Sequence, residues 1–348
     1  MKPTNQISET EQKVRPKQIF KKAIGYFLAA ICLVWVFHDV QFDRLIQEMR
    51  SMEAGWILPA VFFDILSYFS QGLRWQLLLH PLGRLSGLRT TQAVYAGLFT
   101  NEILPLRVGE LVRSYLVSRW LSVQFLKIVP SIMIERLFDG IWLGIGIGVT
   151  ALFIHLPTDI IDAAEIMGVV VLIGIGLFVF FIFKKEKTLN KQHHGSSLKW
   201  KPLVSIRKFL DQIANEIRRI GLSGYFYSSF FASAFILIFQ IIAFWLVMIA
   251  YHLEVSLWIS AVVLLIVHFG TALPNAPSNV GTYQFFCVVG LTLFGIDKTT
   301  ATGFSVVVFI LLTIPLWLIG LMAIKYSGMT LKMIQDDINR TVLHKDSH

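Results

Sequence analysis

The sequence predicts an all-α, polytopic membrane protein: about six full transmembrane helices and two re-entrant or broken helix hairpins, arranged as inverted repeats. Three observations predict it. Of 348 residues, 55% are hydrophobic and only 15% charged, with a mean hydropathy of +0.64. Several apolar runs approach the ~20 residues that a spanning helix requires. Basic residues gather beside these runs and acidic loops alternate with them, the pattern that sets orientation in a bilayer. Finally, an offset of 172 residues sets Pro105 on Pro277, Val108 on Val280 and Gly109 on Gly281, so Pro-x-x-Val-Gly recurs. The same offset carries the apolar run 55–79 onto 227–251 and 130–153 onto 302–325. Agreement of the flanking blocks is what makes this a repeat rather than a three-residue coincidence.

Residues 1–20 form a basic tail with Lys2, Lys13, Arg15 and Lys17. No small-residue cleavage site closes the next run, so 21–38 reads as a retained first span. Segment 39–54 places Phe42, Leu45, Ile46 and Met49 at helical spacing opposite its acidic residues, as in a helix lying in the interface or a solvated connector. Run 55–79 is the second span. Asp64, Ser67, Tyr68 and Gln71 share one of its faces, and Arg74 with Trp75 closes it as an interfacial anchor.

Segments 88–104 and 108–121 are each short for a crossing and read as two half-helices of a hairpin, 88–121, that turns at Asn101–Gly109. That turn carries Asn101, Glu102, Pro105, Arg107, Gly109 and Glu110, with Arg113 one turn on. Charge and broken backbone at membrane depth are tolerated only in the protein interior or beside a water-filled cavity. The segment is therefore either a loop outside the membrane or the functional centre.

Run 130–155 starts with Glu135, Arg136 and Asp139. Glu135 and Asp139 share a face, while Arg136 points elsewhere. Two carboxylates so placed repel unless a cation or proton sits between them; interfacial charge at the end of the span is the plainer alternative. An acidic stretch, 155–165, precedes the span 166–183. Residues 184–221 are strongly basic and read as a cytoplasmic linker between a first repeat, 21–183, and a second, 222–327. The latter part of the linker, 203–220, has the pattern of an amphipathic surface helix. Span 225–250, the second broken segment 256–294, span 300–325 and a cytoplasmic tail 328–348 complete the chain. The second broken segment holds Pro277, Ser278, Gly281, Tyr283 and Gln284. Threaded from an inside N-terminus, the basic clusters fall inside and the acidic loops outside. The halves then have opposite orientation, and paired broken segments in two halves point to a transporter's substrate site. The chain is expected in the cytoplasmic (inner) membrane, multi-pass, with both termini cytoplasmic.

The net charge of +9 follows from orientation and anionic headgroups rather than from nucleic acid. Cys32 and Cys287 lie in apolar runs, and no metal-ligand spacing is present, so neither a metal nor a cofactor is expected.

Arg74-Trp75 with Leu77-Leu78, Asn101-Glu102 with Pro105-x-Arg107-x-Gly109-Glu110 and Arg113, Glu135-Arg136-x-x-Asp139, and Pro274-x-x-Pro277-Ser278-x-Val280-Gly281-Thr282-Tyr283 together resemble one family. It is the lysylphosphatidylglycerol synthase transmembrane family, also called YbhN-like or flippase-like. The resemblance runs from about residue 20 to residue 328. In larger members this membrane module is fused to a soluble aminoacyltransferase domain, and the module moves the lipid product across the bilayer. Without that domain, the resemblance implies the flipping half and not the synthetic half. Relatives commonly carry Gly and an acidic residue where this chain has Ser278 and Gln284, so no carboxylate is carried over to the second motif.

The expected function is movement of a phospholipid between leaflets: phosphatidylglycerol, its aminoacyl ester or a related lipid. Arg107 and Arg113 would hold phosphate and Glu102 and Glu110 an ammonium group, with Glu135, Arg136 and Asp139 as a second charged layer and Asp64 and Arg74 beside them. The partners expected are membrane lipids, anionic or aminoacylated, and not nucleic acid. A second copy of the chain and a separate lipid-modifying enzyme stay open as partners. The competing reading is an intramembrane lipid enzyme, either polyprenyl pyrophosphate phosphatase-like or the membrane part of a lysylphosphatidylglycerol synthase. It would need a nucleophile or base beside the phosphate site.

Overall fold

The computed structural model describes residues 25–104, 108–156, 158–183, 201–272 and 276–328. The tail 1–20, Pro105, Arg107, Pro274, the first part of the basic linker and the tail from 329 lie outside the described residues. Among the described residues every regular element is helical. In chain order they are α1 (Gly25–Phe37), α2 (Phe42–Arg50), α3 (Ala54–Leu79), α4 (Gly87–Ile103), α5 (Gly109–Leu121), α6 (Phe125–Ala151), α7 (Thr158–Phe183), α8 (Lys201–Gly221), α9 (Gly224–Ala250), α10 (Leu257–Thr271), α11 (Thr282–Thr292) and α12 (Lys298–Tyr326). A 3₁₀ turn, Pro277–Asn279, stands between α10 and α11.

Among the described residues, four stretches are long and apolar enough to cross a membrane: Ala54–Leu79, Ala164–Phe183, Gly224–Ala250 and Lys298–Tyr326. α6 has the length, at 27 residues, but carries Lys127, Glu135, Arg136 and Asp139 between its start and its middle turn. α1 and α2 meet at an 87° bend. Asp39 takes φ 61° there, a left-handed conformation that Asp tolerates better than most residues. Both expected breaks are present: α4 stops before α5 and α10 stops before α11. At the 172-residue offset, α3 to α6 fall on α9 to α12 within four residues at every end.

The chain divides into two compact units. The first gathers Met1–Phe62, Leu98–Gly109 and Ile241–Leu318. Within it α10 and α11 form a close hairpin. Gly270 faces the Phe286 ring so tightly that a Cβ would lie 2.0 Å from it. α2 is fastened to the start of α12. Arg44 Nη2 donates to Asp297 at 3.0 Å and to Thr300 at 2.9 Å, and Arg44 Nε donates to Glu48 at 2.9 Å. Tyr251 donates its hydroxyl to the other Glu48 oxygen at 3.2 Å. These groups line an open cavity of about 410 Å³. Burial pushes the Asp297 carboxyl up, but the Thr300 hydroxyl and amide and the Arg44 guanidinium together hold it below the usual carboxylate range. Burial, with the Glu48 charge beside it, raises the Tyr251 phenol.

The second unit gathers Phe63–Gly97, Glu110–Gln240 and Ile319–His348. Here α6, α7 and α8 pack on one another. α8, expected as a surface helix, buries Ile213, Ala214, Ile217 and Ile220. Its apolar stripe meets two helices, an acceptor equivalent to lipid in apolar terms but more tightly packed. Phe138 of α6 sets its ring edge-on to Phe226 and Phe230 of α9, at 5.0 and 5.2 Å. Cys32 and Cys287 are free and buried, as small apolar side chains.

Candidate functional site

Two groups of the expected site residues form, one within each unit. The larger is a network of three arginines and three carboxylates in the second unit. Glu135, fully buried on α6, lies 3.1 Å from Arg74 Nη2 of α3 and 2.7 Å from Arg113 Nη2 of α5. Arg74 reaches Asp139 with its other terminal nitrogen, at 2.5 Å. Arg136 pairs with Asp139 at 3.2 Å and with Glu110 of α5. The cation that the neighbouring pair Glu135 and Asp139 requires is therefore Arg74, whose planar fork spans one turn of α6.

Two expectations change here. Arg74 and Trp75 do not anchor an interface: Arg74 is 4% exposed and Trp75 fully buried. The Trp75 indole donates to Ser131 at 3.0 Å, and its face carries the Arg113 guanidinium at 4.7 Å. Burial is affordable because each guanidinium meets a carboxylate that is itself out of water. Arg136 does not point away from its neighbours; its length lets it fold back to Asp139 while reaching Glu110. With three positive and three negative side chains, the network is neutral as a whole. It is also graded: Glu135, Arg74 and Arg113 are buried, whereas the Arg136 side chain is 50% exposed. Ser233 of α9, which nothing in the sequence marks, accepts from Arg74 at 3.2 Å.

The second group lies in the first unit, where the two broken segments touch. Ser278 donates its hydroxyl to the Glu102 carbonyl at 2.9 Å. The Glu102 carboxylate in turn accepts the indole N–H of Trp317 from α12, at 3.3 Å. Trp317 is 47% exposed and sits among exposed Ile314, Leu318 and Leu321, so this carboxylate borders the apolar outer face of α12. Trp317 escaped the sequence reading. The signal that would have found it is an indole N–H within a spanning run, which needs a partner. Asn101 closes the first break by accepting from the Gly109 amide at 2.7 Å. The Pro277 turn is held in unusual backbone: Ser278, Asn279 and Gly281 have φ of 56°, 53° and 86°. Gly281 is required twice over, since a Cβ there would also lie 2.4 Å from the Ala29 carbonyl of α1.

Gln284 and Tyr283 are occupied within the turn. Gln284 accepts from the Gly281 amide at 2.7 Å and is 5% exposed, so it caps α11. A carboxylate at that position accepts the same bond. Tyr283 packs its ring on Phe309 at 5.3 Å. Asp64 is buried on α3 but stands outside the arginine network. Among the described residues no group of three or more His, Cys, Asp or Glu is placed to hold a metal ion.

The sequence model of the lysylphosphatidylglycerol synthase TM region matches residues 22–320. A UPF0104 membrane protein of Methanocaldococcus jannaschii, MJ1595, is 22% identical over 308 residues, which cover 82% of this chain and 89% of that protein.

Proposed function

Because the chain belongs to the lysylphosphatidylglycerol synthase transmembrane-region family, we propose that it is a flippase-like protein of the inner membrane that moves a phospholipid between leaflets. The lipid is phosphatidylglycerol, its aminoacyl ester or a close relative. A flippase must shelter a charged headgroup while the acyl chains stay in lipid. The observation that carries the reading is the neutral network of Arg74, Arg113, Arg136, Glu110, Glu135 and Asp139. Its inner members are buried and its outer members are open, so a phosphate can exchange for a carboxylate on Arg136 or Arg113, and an ammonium for an arginine on Glu110. Glu102, bordering the outer face of α12, supports access for a headgroup from the side. The matching of α3–α6 with α9–α12 in sequence supports inverted repeats and alternating access, with both termini cytoplasmic.

The test is lipid movement in vesicles of phosphatidylcholine with headgroup-labelled phosphatidylglycerol or its lysyl ester. Wild type is compared with Glu110→Gln, Arg136→Ala and Glu102→Gln. The reading expects wild type to abolish leaflet asymmetry and the Glu110 and Arg136 substitutions to stop it. Unchanged movement in both would remove the network from the site. A folded wild type that moves neither lipid but releases phosphate or transfers an aminoacyl group would replace the flippase with the enzyme.

A further inference from the structure

Asp64 is a carboxyl that the network leaves unused. It lies in α3 ten residues before Arg74, about 15 Å along the helix axis, and is 5% exposed. Its Oδ2 is buried without a hydrogen-bond partner, and no described cation forms an ion pair with it. Ser67, on the same face, turns its hydroxyl back to the Asp64 backbone carbonyl at 2.8 Å rather than to the carboxyl. From α4, Tyr95 lies within electrostatic reach, its hydroxyl likewise buried without a partner. Tyr68, one turn beyond Asp64, packs its ring on Tyr95 at 5.5 Å. α3 and α4 are pressed together close by: a Cβ on Gly72 would lie 2.0 Å from Thr91. No charged side chain among the described residues acts on Asp64 from these elements.

A lone carboxylate taken out of water into hydrocarbon is costly, and intramembrane carboxyls that persist commonly serve an ion path. The ion is identified by what surrounds the group. A hard metal ion needs about six oxygens, and among the described residues Asp64 belongs to no group of three or more His, Cys, Asp or Glu that could hold one. One free oxygen beside a phenol accommodates a proton.

We propose that Asp64 is the proton-binding site of the transport cycle. Its Oδ2 takes a proton from water on one side of the membrane and returns it on the other as lipid moves. Flipping is thereby driven by the transmembrane proton gradient. This inference rests on the flippase reading above.

Two measurements on the full-length chain in lipid test it. The first is infrared difference spectroscopy across a pH jump, reading the carbonyl stretch of a protonated carboxyl. Wild type should show a band that titrates, Asp64→Asn should lack it, and Asp64→Glu should shift it. The second is lipid movement with an imposed pH gradient. The steady-state distribution of lipid between leaflets should shift by up to about tenfold per pH unit in wild type, Asp64→Glu should keep the response and Asp64→Asn should lose it. A band that survives in Asp64→Asn, an unchanged gradient response in that variant, or a response to sodium instead, overturns the proposal. Should wild type move no lipid, the titrating band alone decides: with it, the proton site stands and the lipid reading falls; without it, both fall.

Discussion

Glu135 has two arginines and no exposed surface, and Arg136 has two carboxylates and half its surface in the open. The two should therefore separate stability from activity. Glu135→Ala leaves Arg74 and Arg113 buried with one carboxylate fewer, and it should cost about 3–5 kcal/mol in a reversible unfolding measurement in detergent micelles. Arg136→Ala should cost under about 1 kcal/mol and still stop lipid movement. Equal destabilisation by both would mean that the network is a structural clasp. Gly281→Ala combines a left-handed backbone with a collision against Ala29, and about 1–3 kcal/mol should be lost in the same assay. At the next position that matters, Gln284→Glu keeps the acceptor for the Gly281 amide but buries a carboxylate at a site only 5% exposed, so it should be destabilising in the same assay at neutral pH. Gln284→Leu leaves that amide buried and unsatisfied, at about 1–3 kcal/mol.

At the scale of elements, α2 is held to α12 by charges that water reaches, and so its docking should respond to acid. Asp297 is depressed in the folded protein. Its contribution is thus present above the unfolded carboxyl's value, about 3.9, and is lost as pH falls through the lower folded value. A spin label at exposed Ile46 should become mobile in that acid window, and Asp297→Asn should show the mobile spectrum already at neutral pH. A label that stays immobile in the variant would assign the docking to packing, for instance of Leu45 against Gly303, instead of to the ion pair. The broken hairpins behave differently. They are fixed from inside, by Asn101 on Gly109 and Gln284 on Gly281, and owe little to surface charge.

For the molecule as a whole, the threading predicts which loops face which side. Cys32 and Cys287 are buried, so new cysteines can be labelled against a silent background. An impermeant thiol reagent added outside should modify Glu254→Cys and spare Arg84→Cys; equal labelling would break the inverted-repeat reading, and the reverse pattern would keep it but place the termini outside. Much of the architecture was legible because α3, α9 and α12 are long apolar runs, and because Pro277, Gly281 and the Asn101–Gly109 turn interrupt such runs. The sites were legible as charges in the wrong solvent. What the sequence could not supply was pairing. Arg74 reads as an interfacial anchor until Glu135, 61 positions later, is seen beside it. α8 reads as a surface helix because an apolar stripe looks the same whether it meets headgroups or α6 and α7. Trp317 is one aromatic among many until its N–H is found on Glu102.

The neutrality of the arginine–carboxylate network also constrains descent. Any single replacement of Glu135, Arg74 or Arg113 by an uncharged residue strands a buried charge, so an intermediate ancestor would carry the full penalty before a second change could relieve it. Substitutions at these positions should therefore arrive together across relatives: loss of one sign on α6 accompanied by loss of the opposite sign on α3 or α5. Glu110 and Arg136, partly exposed, carry no such stability penalty, so a loss there is opposed by function alone. A comparison of diverged sequences that found Glu135 varying independently of both arginines would show that the network has been rebuilt in another form.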